Sequence, residues 1–381
     1  MGAVARAVTF GPRYHWFGYY DMPCWDKSGR YLLSLGVDFY DRPPTGDDLA
    51  VITLSDLETG AQTEIAQTRA FNWQQGAMLN WLHALDGDWF QHNDRRDGRF
   101  VSIMREAHTG AARVLGPAVS DVGLGNRLAL GLNFARIAET RPGYGYAGLA
   151  DPYERVDHPD GDGVTVIDLD SGSSQLVVSM RQVAELLGCD ALRGCKMWFN
   201  HTLLNPGETR FAFLARWRRP GESGWQTAML TANPDGSDLK LLLADGMVSH
   251  YDWQDDTHIL AWTRIGEHGD HFYLIDDTTG EWRIVGADRL TADGHCSFAR
   301  QSNWILTDTY PFEPDYQRSL KVYLPDQDRE VILGSYASPP PYVGELRCDL
   351  HPRWRSDDRQ ICFDSVHEGS RQVYLVDVPN I

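Results

Sequence analysis

The chain has 381 residues, 42% of them hydrophobic, and a formal net charge of −18. A surface this acidic excludes nonspecific binding to nucleic acid or anionic membrane, although a local arginine cluster still admits a small anionic ligand. No stretch reaches the roughly 18 consecutive apolar residues of a membrane span, the start lacks a signal-peptide h-region, and the six cysteines show no CxxC pairing. A cytoplasmic location with reduced thiols is therefore expected.

Taken in order, the chain repeats one pattern: a large apolar anchor, a polar turn, then apolar strands. The first unit reads DMPCWDKSGRYLLSLG, with Trp25 as anchor, then strands over 49–54 and 62–65. The second starts at NWQQGAMLNW with Trp81 as anchor. In the third, RLALGLNFAR, GVTVIDLDSG and SQLVVS read as strands, with a Gly/Pro/Tyr/Asp-rich insertion over 139–163. Residues 180–187 (MRQVAELL) predict a helix leading into unit four. Units four to seven carry NHTLL, SHYDW, GHCSF and LHPRW, each followed by a turn and an apolar strand. Four short antiparallel strands per unit, repeated seven times, predict an all-β, seven-bladed β-propeller occupying 1–381 as a single domain. The seventh unit lacks a fourth strand, and Val4–Phe10 (VARAVTF) is a strand without a unit. Pairing the two would close the ring and remove its open edges.

His201, His250, His295 and His351 each stand three residues before an anchor (Leu204, Trp253, Phe298, Trp354), at intervals of 49, 45 and 56 residues. First strands line a propeller channel and second strands run back antiparallel, so strand starts and second-strand ends share one face. By that topology the histidines share a face with Asn93, Arg96, Arg136, Arg216 and Tyr310. The excursions over 38–48, 139–163 and 310–318 join them, and binding residues concentrate on such loops. Met22 and Met78 occupy the matching positions in units one and two.

Two chemistries suit imidazoles at a channel. Neutral nitrogens bind a divalent metal together with a carboxylate such as Asp349. Alternatively His201 or His250 acts as general acid or base, with an arginine such as Arg216 clamping a carboxylate and Tyr310 protonating a leaving oxygen. These are the parts of a β-elimination on a uronic acid. Substrate contacts are expected from Arg96, Arg136, Asn93, Gln75, Asn200, Tyr144, Tyr146 and Arg347. Trp16, Tyr19, Tyr20, Trp73 and Trp198 are further candidates to stack on sugar faces.

The turns WDKSG, LNPGE, WQDDT, FARQS and WRSDD resemble those of TolB-like propeller repeats. The C-terminal half resembles the oligogalacturonate lyase family among the propeller polysaccharide lyases. HWFGYYD, NWQQGAM, RPGYGYAG, MWFNH and RCDLHPRW also look like a set shared by a bacterial propeller family. The lyase resemblance implies a divalent metal (Mn, Zn or Ca) on His295 and His351, with Asp349 where the family has the first His of a His-x-His pair. It implies a catalytic role for His250, and a small anionic oligosaccharide as ligand. Two other readings remain: a non-catalytic propeller that binds carbohydrate or protein, and a glycoside hydrolase using carboxylates such as Asp21, Asp252 and Asp349.

Overall fold

The computed structural model describes residues 4–311 and 314–380. Phe312 and Glu313, within the expected 310–318 excursion, lie outside them. Seven four-stranded antiparallel sheets follow one another around a central channel. Blade four illustrates the plan: Lys196–Leu204 pairs with Phe211–Arg218, which pairs with Gln226–Ala232, which pairs with Lys240–Gly246. In blade one Leu32, Leu33 and Leu35 are all fully buried. Successive side chains point to opposite faces of a strand, so burial of consecutive leucines means the sheet is covered on both sides by neighbouring blades.

The last blade is completed from the other end of the chain. Arg6–Ala7 pairs antiparallel with Gln372–Asp377, and Val8 N–H donates to the Val373 carbonyl at 2.9 Å. The ring closes as the unpaired first strand predicts.

Two local features depart from the sequence pattern, and one between them follows it. The apolar run RLALGLNFAR is strand only to Gly131; Phe134–Thr140 is a helix (α1), with the Asn133 side chain accepting from Arg136 N–H as its N-cap. The predicted second helix (α2) spans Met180–Leu187 and is held by a Ser179/Gln182 capping box. The second departure organises the channel. Blade one begins at Tyr14–Trp16, earlier than its Trp25 anchor, and that strand is interrupted. The chain leaves the sheet at Phe17 and rejoins it at Cys24 and Trp25.

Residues 17–23 form a plug inside the ring. Arg353 donates to the carbonyls of Gly18 (3.1 Å) and Tyr19 (3.4 Å) and pairs with Asp364 at 2.9 Å. Asp364 also accepts from Phe17 N–H. The plug crosses the Asn72–Gly76 turn of blade two with no room for side chains. A Cβ at Gly18 would lie 2.6 Å from the Gln75 carbonyl oxygen, and one at Gly76 2.6 Å from that of Phe17. Both glycines have positive φ.

Candidate functional site

The four histidines converge. Ring centroids lie 4.1 Å apart for His250 and His295, and 4.3 Å apart for His295 and His351. His201 joins them through the plug: Tyr19 packs against His201, His295 and His351, and Tyr20 against His201, His250 and His295. All four are at most 4% exposed. A left-handed backbone aims two of them. His201 has φ 49° where the register of blade four shifts, and His351 has φ 41°. Met78, the equivalent in blade two, has φ 54°. A left-handed backbone costs a non-glycine residue on the order of 1–2 kcal/mol, which the surrounding blades must offset at all three positions.

The histidines lie deeper than the expected channel mouth. The innermost strand of blade four starts at Lys196, so His201 stands beside the middle of the second strand, between the partners Leu214 and Phe213. Arg216 pairs with Trp198, nearer the mouth.

Each histidine is oriented by a carboxylate or left open. His295 Nδ1 lies 2.9 Å and 3.0 Å from the two oxygens of Asp308, and its Nε2 is buried without a partner. His250 Nδ1 lies 2.9 Å from Asp293, with Nε2 3.4 Å from the Tyr310 hydroxyl. Both nitrogens of His351 are buried and unpartnered. Burial drives His351 well below its ordinary range and pushes His250 down to about 4, with Asp293 opposing. Both rings are therefore neutral at pH 7.

His295, Asp349 and His351 each offer a ligand atom, and these lie within 4.8 Å of one another. Two buried imidazoles with unused nitrogens, one fixed from behind by a carboxylate, form a donor set that can coordinate a divalent metal. It suits Mn or Zn better than Ca, which takes six to eight oxygens. Asp349 is fully buried. Burial alone would raise its carboxyl, but Arg347 and Arg318 outweigh that and hold it well below the usual carboxylate range. Arg347 Nε donates to Asp349 at 2.7 Å, and Arg318 Nη1 lies 2.8 Å from its other oxygen.

Above this cluster stands a second pair of guanidiniums. Arg216 is 6% exposed, and its Nη2 donates only to the Val248 carbonyl at 3.3 Å. Arg141, at the end of α1, stacks between Tyr144 (4.6 Å) and Trp225 (4.2 Å), and Arg216 approaches the same Trp225 ring at 5.8 Å. The Nε atoms of both arginines are buried and unpartnered. Among the described residues neither makes an ion pair. Burial, reinforced by Arg141, pushes Arg216 down to about 10. Arg347 Nη2 also donates to the Tyr144 hydroxyl at 2.5 Å.

Other expected contacts are taken up by the fold. Arg136 lies on α1 and is fully buried; it pairs with Asp151 at 2.9 Å and donates to the carbonyls of Met197, Tyr153, Val156 and Asp157. It ties down the insertion, with no donor left for a substrate carboxylate. Asn93 is saturated by Val119, Gln91 and the Tyr146 hydroxyl, and Tyr146 stacks on Phe134 at 4.2 Å. Arg96 pairs with Asp94 away from the histidines, beside Glu64 to Gln67 on the last strand of blade one. Gln75 is buried where the plug crosses, and its N–H donates to Asn72. Asn200 is buried next to His201 with its Oδ1 unpartnered. Trp16, Trp73 and Trp198 are at most 1% exposed and fill the core rather than a sugar-facing wall. Asp21, Asp252 and Asp349 do not face one another across a single cleft: Asp21 and Asp252 line cavities below the plug.

Histidine periodicity does not single out Asp293, Asp308, Arg141 or Trp225. A signal exists for two of them: Asp308 and Asp364 occupy matching second-strand positions in WILTDT and QICFDS, and Arg141 opens RPGYGYAG with no acidic neighbour at its side.

No protein-family model and no curated protein matches the sequence. The structure of an oligogalacturonate lyase from Vibrio parahaemolyticus is similar over 99% of this chain and 94% of that one, with TM-score 0.70 at 14% identity. An oligogalacturonate lyase in complex with manganese also gives TM-score 0.70, at 16% identity over the same shares. The tricorn protease gives 0.53 at 9% identity, over 97% of this chain and 34% of that one. The chain is a seven-bladed β-propeller that resembles oligogalacturonate lyase in fold over nearly its whole length.

Proposed function

We propose that this protein is a lyase that cleaves uronic-acid oligosaccharides by β-elimination at the upper end of the channel. The observation that carries the reading is buried Arg216 and half-buried Arg141, both against the Trp225 ring and in no ion pair among the described residues, above a neutral and carboxylate-oriented His250. Two guanidiniums left unpaired in a low-dielectric site call for an anion. A uronate carboxylate supplies it and has the planar geometry that arginine binds in bidentate fashion.

In this reading His250 Nε2 accepts the C5 proton. The electron pair of that bond forms the C4–C5 double bond, the C4–O bond breaks, and the leaving oxygen takes a proton from Tyr310. Burial raises the Tyr310 hydroxyl well above its ordinary value, so it stays protonated. His250 is a weak base as it stands, which matches a proton acidified by neutralisation of the adjacent carboxylate. His295, Asp349 and His351 would hold a divalent ion, which supplies Lewis acidity toward that carboxylate. The fold shared with oligogalacturonate lyases supports the substrate class.

The test is ultraviolet absorbance of the unsaturated uronate product, followed over uronate oligosaccharides of both C4 configurations. A gain supports the lyase reading. New reducing ends without the chromophore would indicate hydrolysis instead.

A further inference from the structure

The sequence Arg141-Pro142-Gly143-Tyr144 directly follows α1 and is built to turn. Proline presets the second position of a type II turn, and the third needs a positive φ, which glycine supplies. Gly143 has φ 89°, and the Tyr144 N–H closes the turn on the Arg141 carbonyl at 3.2 Å. The turn brings its first and last side chains together, with the Arg141 guanidinium 4.6 Å from the centre of the Tyr144 ring. Neighbouring elements pin it. Asn72 Nδ2 donates to the Tyr144 carbonyl at 2.9 Å, and Tyr146 N–H donates to the Phe134 carbonyl at 3.2 Å. A Cβ at Gly145 would lie 2.0 Å from the Ala138 nitrogen, so the chain folds back on α1 with no room for a side chain there.

Tyr144 is buried, and the elimination gives it no step. Its two ends meet different partners. The ring carries Arg141, which also lies 4.2 Å from the Trp225 ring that Arg216 approaches. The hydroxyl accepts from Arg347 Nη2 at 2.5 Å, and the same guanidinium donates through Nε to Asp349 at 2.7 Å. One side chain therefore touches both an arginine of the anion clamp and the arginine behind a carboxylate of the metal cluster. A guanidinium stacked on aromatic faces keeps its in-plane N–H groups for a carboxylate. A free arginine would have to give up rotamer entropy to reach the same place. Outer partners of a ligating carboxylate fix its orientation in the same way.

We propose that Tyr144 is a positioning residue with two separable tasks: its ring holds Arg141 for the substrate carboxylate, and its hydroxyl, through Arg347, holds Asp349 for the metal. The proposal rests on the lyase reading, in which Arg141 meets a uronate carboxylate and Asp349 a divalent ion. It makes the blade-three insertion part of the site through one turn, although Arg136, Asn93 and Tyr146 nearby serve the fold.

The test is calorimetric titration of the full chain with manganese and, separately, with galacturonate, a monosaccharide that has the carboxylate and no glycosidic bond to cleave. Tyr144→Leu should weaken galacturonate at least tenfold, as should Arg141→Ala. Tyr144→Phe, which keeps the ring beneath Arg141, should restore galacturonate to within about threefold of wild type. Manganese should weaken by about tenfold in both Tyr144 variants and stay unchanged in Arg141→Ala. A tyrosine that merely supports the fold would weaken both ligands together in both of its variants, and that result would overturn the proposal. So would unchanged manganese affinity in Tyr144→Phe, unchanged galacturonate affinity in Tyr144→Leu, or failure of folded wild type to bind either ligand at millimolar concentration. Uronate cleavage is scored separately by absorbance. Cleavage by wild type with this pattern of affinities missing sinks the role of Tyr144 alone, and the pattern without cleavage sinks the lyase reading alone.

Discussion

Asp21 Oδ2 lies 3.0 Å from His201 Nε2, and both side chains are at most 3% exposed. This contact separates His201 from the other three histidines. Its Nε2 is committed to the plug, with the Tyr20 hydroxyl 3.4 Å away, and its carbonyl accepts from the Tyr251 hydroxyl. His201 holds the plug in the ring, whereas His250 keeps Nε2 toward the mouth beside Tyr310.

The two histidines should therefore differ on mutation. His201→Ala leaves Asp21 buried without its partner and should cost about 2–4 kcal/mol of stability, read as a lower denaturant midpoint. His250→Ala should leave that midpoint nearly unchanged and lower uronate cleavage by at least a hundredfold. Equal stability losses in both variants would contradict the division of roles.

Arg136 tests the reassignment of a residue that sequence alone groups with the substrate clamps. Arg136→Ala strands Asp151 beneath the insertion and should cost about 3–5 kcal/mol. Denaturant unfolding checks it. A stable Arg136→Ala variant with raised KM would restore the substrate-clamp role.

Metal content tests the cluster directly. His295→Ala and His351→Ala should each abolish stoichiometric binding of Mn or Zn measured by elemental analysis. Asp308→Asn, which removes the carboxylate behind His295, should weaken binding by about 10- to 100-fold. Full occupancy in His295→Ala would exclude that residue as a ligand.

Stability should fall as pH drops below neutrality. Burial pushes His15, His92 and His250 down to about 4, against about 6.5 in the unfolded chain. Between those values the unfolded state binds more protons, so this stability is complete above about pH 6.5 and is lost on the way to about pH 4. Asp252, pushed up to about 7 by burial, acts in the opposite sense across the same window and offsets part of the loss. Denaturant midpoints at pH 7.5, 6 and 5 (chosen to span the window) should decline in that order, and a midpoint that rises toward pH 5 would contradict this balance.

Much of this architecture is legible in the chain because propeller blades are built locally. Anchor, turn and strand recur with each unit, and the unpaired Val4–Phe10 segment announces the closure with Gln372–Asp377. Helix α2 is legible for the same reason, since its cap and first turn lie in adjacent residues. Helix α1 is hidden because its N-cap, Asn133, sits inside an apolar run that continues a real strand. The plug is hidden because HWFGYYDMPCW is as apolar as an innermost strand; what holds it out of the sheet is distant, namely Arg353, Asp364 and the Gly76 turn. At the site, histidine convergence follows from repeat position. Arg347 finds Asp349 two residues away, but the division between Arg136 within the fold and Arg216 left open depends on partners 15 and 32 residues away, beyond what spacing encodes.

The central claim is tested most directly by ultraviolet absorbance on uronate oligosaccharides with manganese-supplemented wild type, His250→Ala and Arg216→Ala. The account predicts a steady gain for the wild type and at least a hundredfold loss in both variants, with folding retained. No gain from folded, manganese-loaded wild type on any uronate of the panel would contradict it.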